Sequence, residues 1–153
     1  MASFHIHHKY EIYYEIEGSR RYFIEDAAYI VNAGCVVLIG ENQIHKTASL
    51  GDTASSRIVM ISAASTSTNY GHLPGGGLFS FLSEEHNHLL SNITVKQQNH
   101  IQGLLQQLLA LQEETSPESD ALRKMLLATL LLELKDLCRQ QQEQGRREWP
   151  RQH

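Results

Sequence analysis

His5-Ile6-His7-His8-Lys9-Tyr10-Glu11-Ile12-Tyr13-Tyr14-Glu15-Ile16-Glu17-Gly18 is the stretch whose reading decides the fold. On an extended strand, residues two apart share a face. His5, His7 and Glu11 therefore fall on one side, and Ile12, Tyr14 and Ile16 on the other. Two imidazoles and a carboxylate stand together, an apolar stripe lies behind them, and Gly18 closes the strand with a turn. The rest of the chain reads as a container built around that face.

Short strands with turn punctuation continue to residue 62. Residues 20–25 alternate, with Tyr22 and Ile24 on one face, and Asp26-Ala27 makes a turn into a short return strand over 29–31. Asn32-Ala33-Gly34 turns again, and Cys35-Val36-Val37-Leu38-Ile39 is a continuous apolar run, as expected for a strand covered on both faces. A loop at 40–43, a strand at 44–48 carrying His45, and a strand at 57–62 complete this half. Closely spaced strands with no helical period between them argue for an antiparallel sandwich or barrel.

The composition then changes. Residues 63–69 are small and polar, Leu73-Pro74-Gly75-Gly76-Gly77 is loop-like, 78–82 reads as one helical turn, and 91–95 as a returning strand. From Gln97 the period becomes helical, with Ile101, Leu104, Leu105, Leu108 and Leu111 on one stripe. Thr115-Ser116-Pro117 breaks that helix, and Ser119 or Asp120 can cap a second over about 121–142. Leu122, Met125, Leu126, Leu130, Leu134, Leu137 and Cys138 form its stripe, which Leu127, Leu131 and Leu132 widen beyond what one partner covers. So short a connection implies an antiparallel pair, and the surplus apolar surface implies a second subunit. The expected division is 1–96 for the barrel, 97–142 for the helix pair and 143–153 for a frayed tail.

Composition narrows the function classes. The 153 residues carry a net charge of −4, with 41% apolar and 20% charged residues, as in an ordinary soluble domain. No basic field points to nucleic acid, because only Arg146-Arg147 and Arg151 are locally basic. The largely apolar run at 125–134, with Thr129 inside it, is too short to span a bilayer. No leader pattern opens the chain. Cys35 and Cys138 read as buried, reduced thiols, and a cytoplasmic location is expected.

Two spaced motifs carry the chemistry. The first is His5, His7, Glu11 and Gly18; the second is Gly34, Gly40, Asn42, His45 and Ser49. Together they resemble the two signature motifs of the cupin superfamily. The second departs at Gly40 (usually proline), Asn42 (usually glycine) and Ser49 (usually asparagine). More narrowly, Tyr10-Glu11-Ile12-Tyr13-Tyr14, Tyr22-Phe23-Ile24, Val36-Val37-Leu38-Ile39 and Ile44-His45-Lys46-Thr47 resemble the N-terminal ligand-sensing domain of AraC-type transcriptional regulators. The resemblance implies a jelly-roll barrel followed by a dimerising helix pair, and the family's DNA-binding helix-turn-helix motifs have no counterpart here. Only Met1-Ala2-Ser3-Phe4 precedes His5, where the family places one or two strands, so a barrel missing part of a wall is expected.

The resemblance also implies a site. His5, His7, Glu11 and His45 would either hold one divalent transition metal (Zn, Ni, Fe or Mn), which ligand type alone does not choose, or line the barrel as hydrogen-bonding groups without metal. Tyr13 and Tyr22 would supply walls. Arg20 and Arg57 suit solvated edge positions better than a carboxylated ligand, and His8, His72, His86, His88 and His100 suit surface roles. The expected function is effector sensing and dimerisation without enzymatic activity. The effector would be a small polar molecule such as a sugar, and nucleic acid and membrane would not be contacted. The competing class is a metal-dependent cupin enzyme of dioxygenase or isomerase type.

Overall fold

The computed structural model describes residues 8–51, 54–63 and 78–148. His5, His7, His72, the run Gly75-Gly76-Gly77 and the last five residues lie outside these. Seven strands are described: β1 (Lys9–Glu17), β2 (Ser19–Ile24), β3 (Ala27–Asn32), β4 (Val36–Ile39), β5 (His45–Ser49), β6 (Ser56–Ala63) and β7 (Leu89–Leu90). They form a four-stranded sheet ordered β6-β1-β4-β7 and a three-stranded sheet ordered β3-β2-β5, antiparallel throughout. Two helices follow, α1 (Val95–Ala110) and α2 (Pro117–Glu148).

Strand alternation divides the core in two. Tyr13, Tyr22, Ile24, Val31, Cys35, Val37 and Ile39 pack between the sheets. Ile12, Tyr14, Val36 and Leu38, one residue out of phase, pack on the other face of the larger sheet against both helices. β4 is buried at all four residues because it faces both cores, as its unbroken apolar run implied. Ile16, expected on the apolar stripe, is exposed, since β1 ends one residue later. Gly18 turns the chain at φ 80°, and a Cβ there would lie 2.3 Å from the Ala54 carbonyl oxygen.

Several boundaries differ from expectation. Of the strand expected at 91–95, residues 91–94 are a loop and Val95 opens α1, and the pairing residues are Leu89–Leu90. Thr94 instead starts α1: its hydroxyl accepts from the Gln97 N–H at 3.2 Å, while Gln97 Oε1 accepts from the Thr94 N–H at 2.9 Å. This reciprocal cap overrides the strand propensity of Ile93 and Val95. α2 begins at Pro117 rather than near Ala121, because proline suits the first helical position and the Ser116 hydroxyl accepts from the Ser119 N–H at 3.1 Å. α2 then runs without a break through Glu148, past the expected fray.

Leu130, Leu131 and Leu134 are completely buried against the sheet, so truncating any one to alanine should cost about 2–5 kcal/mol. Leu109, Leu122, Met125 and Leu132 remain exposed.

Candidate ligand site inside the barrel

The inner face of the larger sheet is organised by β1. Glu11 stands between Ile39 and Ile61, and Tyr13 between Val37 and Val59, while Glu15 stands opposite Arg57. The smaller sheet faces them with Arg20, Tyr22 and Ile24 on β2, paired with Ser49, Thr47 and His45 on β5. Four of the expected site residues, Glu11, Tyr13, Tyr22 and His45, are thus brought together and are all buried.

Polar contacts join the sheets at two places among the described residues. At one end His45 Nε2 lies 2.7 Å from Glu11 Oε2. His45 Nδ1 sits 3.1 Å from the Gln43 carbonyl oxygen, an acceptor only, so Nδ1 carries a hydrogen. A proton is therefore shared between Nε2 and Glu11. Burial lowers the His45 pKa, but the Glu11 hydrogen bond, the Gln43 carbonyl and the Glu11 charge outweigh it and hold it above its ordinary value.

Toward the other end, Arg57 donates to the Tyr22 hydroxyl at 2.7 Å. Its guanidinium carbon lies 5.0 Å from the Tyr13 ring centre and 5.8 Å from that of Tyr22, within cation–π range. The two rings are 5.4 Å apart. Burial raises the pKa of both phenols; the Glu11 charge adds to this at Tyr13, and Arg57 opposes it at both. Arg57 is therefore half-buried on the edge strand β6 with its guanidinium against the two inner tyrosines, rather than simply solvated. Arg20 reaches Thr47 Oγ1 at 3.1 Å, Ser49 Oγ at 3.3 Å and Ser55 Oγ at 3.2 Å.

Glu15 is the exception to this pairing. Its side chain is 1% exposed, and neither carboxylate oxygen has a hydrogen-bond partner. Burial raises its pKa, against the opposing pull of Arg20 and Arg57. Its place on the inner face was legible, since it continues the two-residue alternation from Glu11 and Tyr13; its lack of a partner was not.

His88, expected at the surface, is 1% exposed. Its Nδ1 donates to the Leu38 carbonyl at 2.6 Å, leaving Nε2 to accept from Gln43 Nε2 at 3.2 Å. Burial holds its pKa below the ordinary value, against smaller upward pulls from the Leu38 carbonyl, Glu85 and Glu25. No periodicity marks a histidine at the end of a two-residue strand, so the sequence carried no signal for it.

The donor set fits a metal in one respect. With Nδ1–H held by a backbone carbonyl, the Nε2 atom of His45 is aimed at Glu11, the orientation a ligating imidazole needs. Glu11 and His45 are two of the four expected ligands. Among the described residues no third histidine, cysteine or carboxylate joins them.

A family model described as AraC-like ligand binding domain matches residues 2–131. Among solved structures, wild-type ToxT from Vibrio cholerae with bound unsaturated fatty acid is 22% identical, with a TM-score of 0.54 over 86% of this chain and 48% of that one. An apo ToxT variant from the same organism is 17% identical, with a TM-score of 0.53 over 81% of this chain and 46% of that one. The chain thus spans about half the length of ToxT. A variant of oxalate decarboxylase from Bacillus subtilis is 24% identical over 48% of this chain and 23% of that one, at a TM-score of 0.37. A comparison with curated proteins returns no match.

Proposed function

We propose, on the premise that this chain belongs to the AraC-like ligand binding domain family, that its barrel binds a small hydroxylated effector such as a sugar and that its helices join two copies. The observation that carries this is the inner face itself. Glu11, Tyr13, Glu15, Tyr22, His45 and Arg57 converge between the sheets, and Glu15 lacks a donor while Arg57 keeps N–H groups beyond the one given to Tyr22. A hydroxyl both donates and accepts, so a polyol can satisfy Glu15 and Arg57 together while lying against the tyrosine rings. Transcriptional control would be exercised through a DNA-binding domain attached to the helices, without nucleic-acid contact from these residues.

The test is thermal unfolding against sugars, sugar acids, polyols and fatty acids. An effector at a hundredfold excess over its Kd should raise Tm by about 5–10 °C, and Arg57→Gln should abolish the shift. A response to fatty acids alone would replace the polyol reading with the ligand class seen in ToxT.

The convergence of Glu11 and His45 supports a second form of the same site. His5, His7, Glu11 and His45 would hold one divalent transition metal, which would supply Lewis-acid binding of an effector oxygen. Elemental analysis of purified protein separates the two forms. Stoichiometric metal with turnover of a small diol or keto acid would favour the enzyme reading.

Dimerisation is assigned to the outer face of α2, where Leu122, Met125 and Leu132 stand exposed at spacings of three and seven residues, with Leu109 of α1 also exposed. This is a seam spacing. Leu122→Asp with Met125→Asp should weaken association at least thirtyfold, about 2 kcal/mol, while leaving the barrel folded. Sedimentation of the wild type as a monomer at micromolar concentration would refute the interface.

A further inference from the structure

Gln43 sits in the loop between β4 and β5, two residues before His45, and makes contacts in every direction. Its backbone carbonyl accepts from His45 Nδ1 at 3.1 Å. Its side-chain oxygen accepts from the Gly40 N–H at 2.6 Å. Its side-chain nitrogen donates to the Ser83 carbonyl at 3.0 Å and to His88 Nε2 at 3.2 Å. The side chain therefore spends its acceptor on its own loop and both amide hydrogens on the segment containing residues 80–88.

A second observation, independent of Gln43, places the same loop on the same segment. A Cβ at Gly40 would lie 1.9 Å from Ser83 Oγ and 2.5 Å from Ser83 Cα. Only glycine permits this approach, and only a residue with an N–H can make the bond to Gln43. The departure of Gly40 from the proline usual in the cupin motif is thereby explained, since proline would supply neither. Asn42, where the motif usually has glycine, keeps the left-handed φ of 63° that glycine would adopt.

The segment is in turn fixed to the helices. Phe79, Phe81 and Leu82 pack in the outer core with Leu130, Leu134 and Cys138 of α2. Just beyond it, Gln141 Nε2 donates to the Leu89 carbonyl at 3.0 Å and Asn92 to Gln144 Oε1 at 2.5 Å. A continuous path of hydrogen bonds and close packing therefore leads from Glu11 through His45, Gln43 and Ser83 to the C-terminal half of α2.

We infer that Gln43 is a positioning residue that holds the orientation of His45 and transmits the state of the Glu11–His45 pair to residues 80–88 and α2. This rests on the reading of that pair as part of the effector site. It supplies the element by which a change inside the barrel reaches the helices, and the physical content of such a claim is a measurable coupling.

The test needs no effector, so its failure is distinguishable from a failure to find one. Hydrogen exchange is measured at residues 80–90 and 133–144 in the wild type, Glu11→Gln, Gln43→Met and the double variant. Glu11→Gln should speed exchange over 80–90 by about fivefold to tenfold, the effect of one lost hydrogen bond, and should do so less or not at all when Gln43 is already methionine. The Nδ1-protonated form of His45, read by nitrogen NMR of the ring, should lose population in Gln43→Met, because the Gln43 side chain fixes the loop whose backbone carbonyl accepts from Nδ1. If Gln43→Met fails to fold, Gln43→Glu keeps the acceptor for Gly40 and serves in its place. Equal responses to Glu11→Gln in both Gln43 backgrounds, or an unchanged His45 ring, would overturn the inference.

Discussion

Replacing His45 by leucine should lower stability by about 3–5 kcal/mol, the cost of leaving one member of a buried charged pair behind. The pair is almost completely enclosed, with His45 5% and Glu11 3% exposed. Replacing both with leucine should cost far less than either alone, because the penalty lies in the stranded carboxylate rather than in the missing attraction. Urea denaturation of the two single variants and the double variant measures this. A single-variant loss below about 1 kcal/mol would place the pair among exposed ion pairs, and the site reading would lose its anchor.

The same pair predicts a pH signature whose sign follows from the shift. His45 is held above its ordinary value of 6.5, so its contribution is complete below that value and is lost as pH rises through the raised one. The gap between wild type and His45→Leu should therefore narrow toward alkaline pH. His88 runs the other way. Held below 6.5, it contributes fully above that value and loses its contribution as pH falls through the lowered one. His88→Gln should flatten the acid side of the stability profile and leave the alkaline side in place.

What the sequence disclosed here follows the reach of its signals. Two-residue alternation placed Glu11 and Tyr13 on one face of β1 and Ile12 and Tyr14 on the other, because a shift of one residue moves every side chain on a strand to the opposite face. The second motif located His45 some thirty residues away, and the structure seats it against Glu11. Helical periodicity found α1 and α2 but misjudged their ends, which are set by the Thr94–Gln97 cap and by Pro117 rather than by hydrophobic spacing. It also could not separate the leucines that face the sheet from those that face outward, since residues 125–134 are apolar at eight of ten positions and so carry little phase. Arg57, His88 and Gln43 were missed for a common reason. Each owes its role to a partner distant in the chain, Tyr22, Leu38 and Ser83 respectively, and no local pattern records that partner.

Replacing Glu15 by methionine should stabilise the protein by about 2 kcal/mol at neutral pH, since a buried carboxylate without hydrogen bonds carries a desolvation cost that Arg20 and Arg57 only partly offset. Methionine conserves the volume and flexibility of the side chain and asks for no partner. The pH dependence fixes the cause. The Glu15 pKa is raised above its ordinary 4.5, so folding is free of the penalty below that value and bears it increasingly as pH rises through the raised one. The advantage of Glu15→Met should accordingly vanish in acid and be complete at neutral pH; a gain that persists unchanged to pH 4 would assign it to packing instead. If Glu15 is retained because an effector hydroxyl completes it, the stabilised variant should bind that effector at least tenfold more weakly, the trade of stability against function expected where a strained group serves a site. Stabilisation with undiminished binding would separate Glu15 from the effector and leave Arg57 and the Glu11–His45 pair as the groups that recognise it.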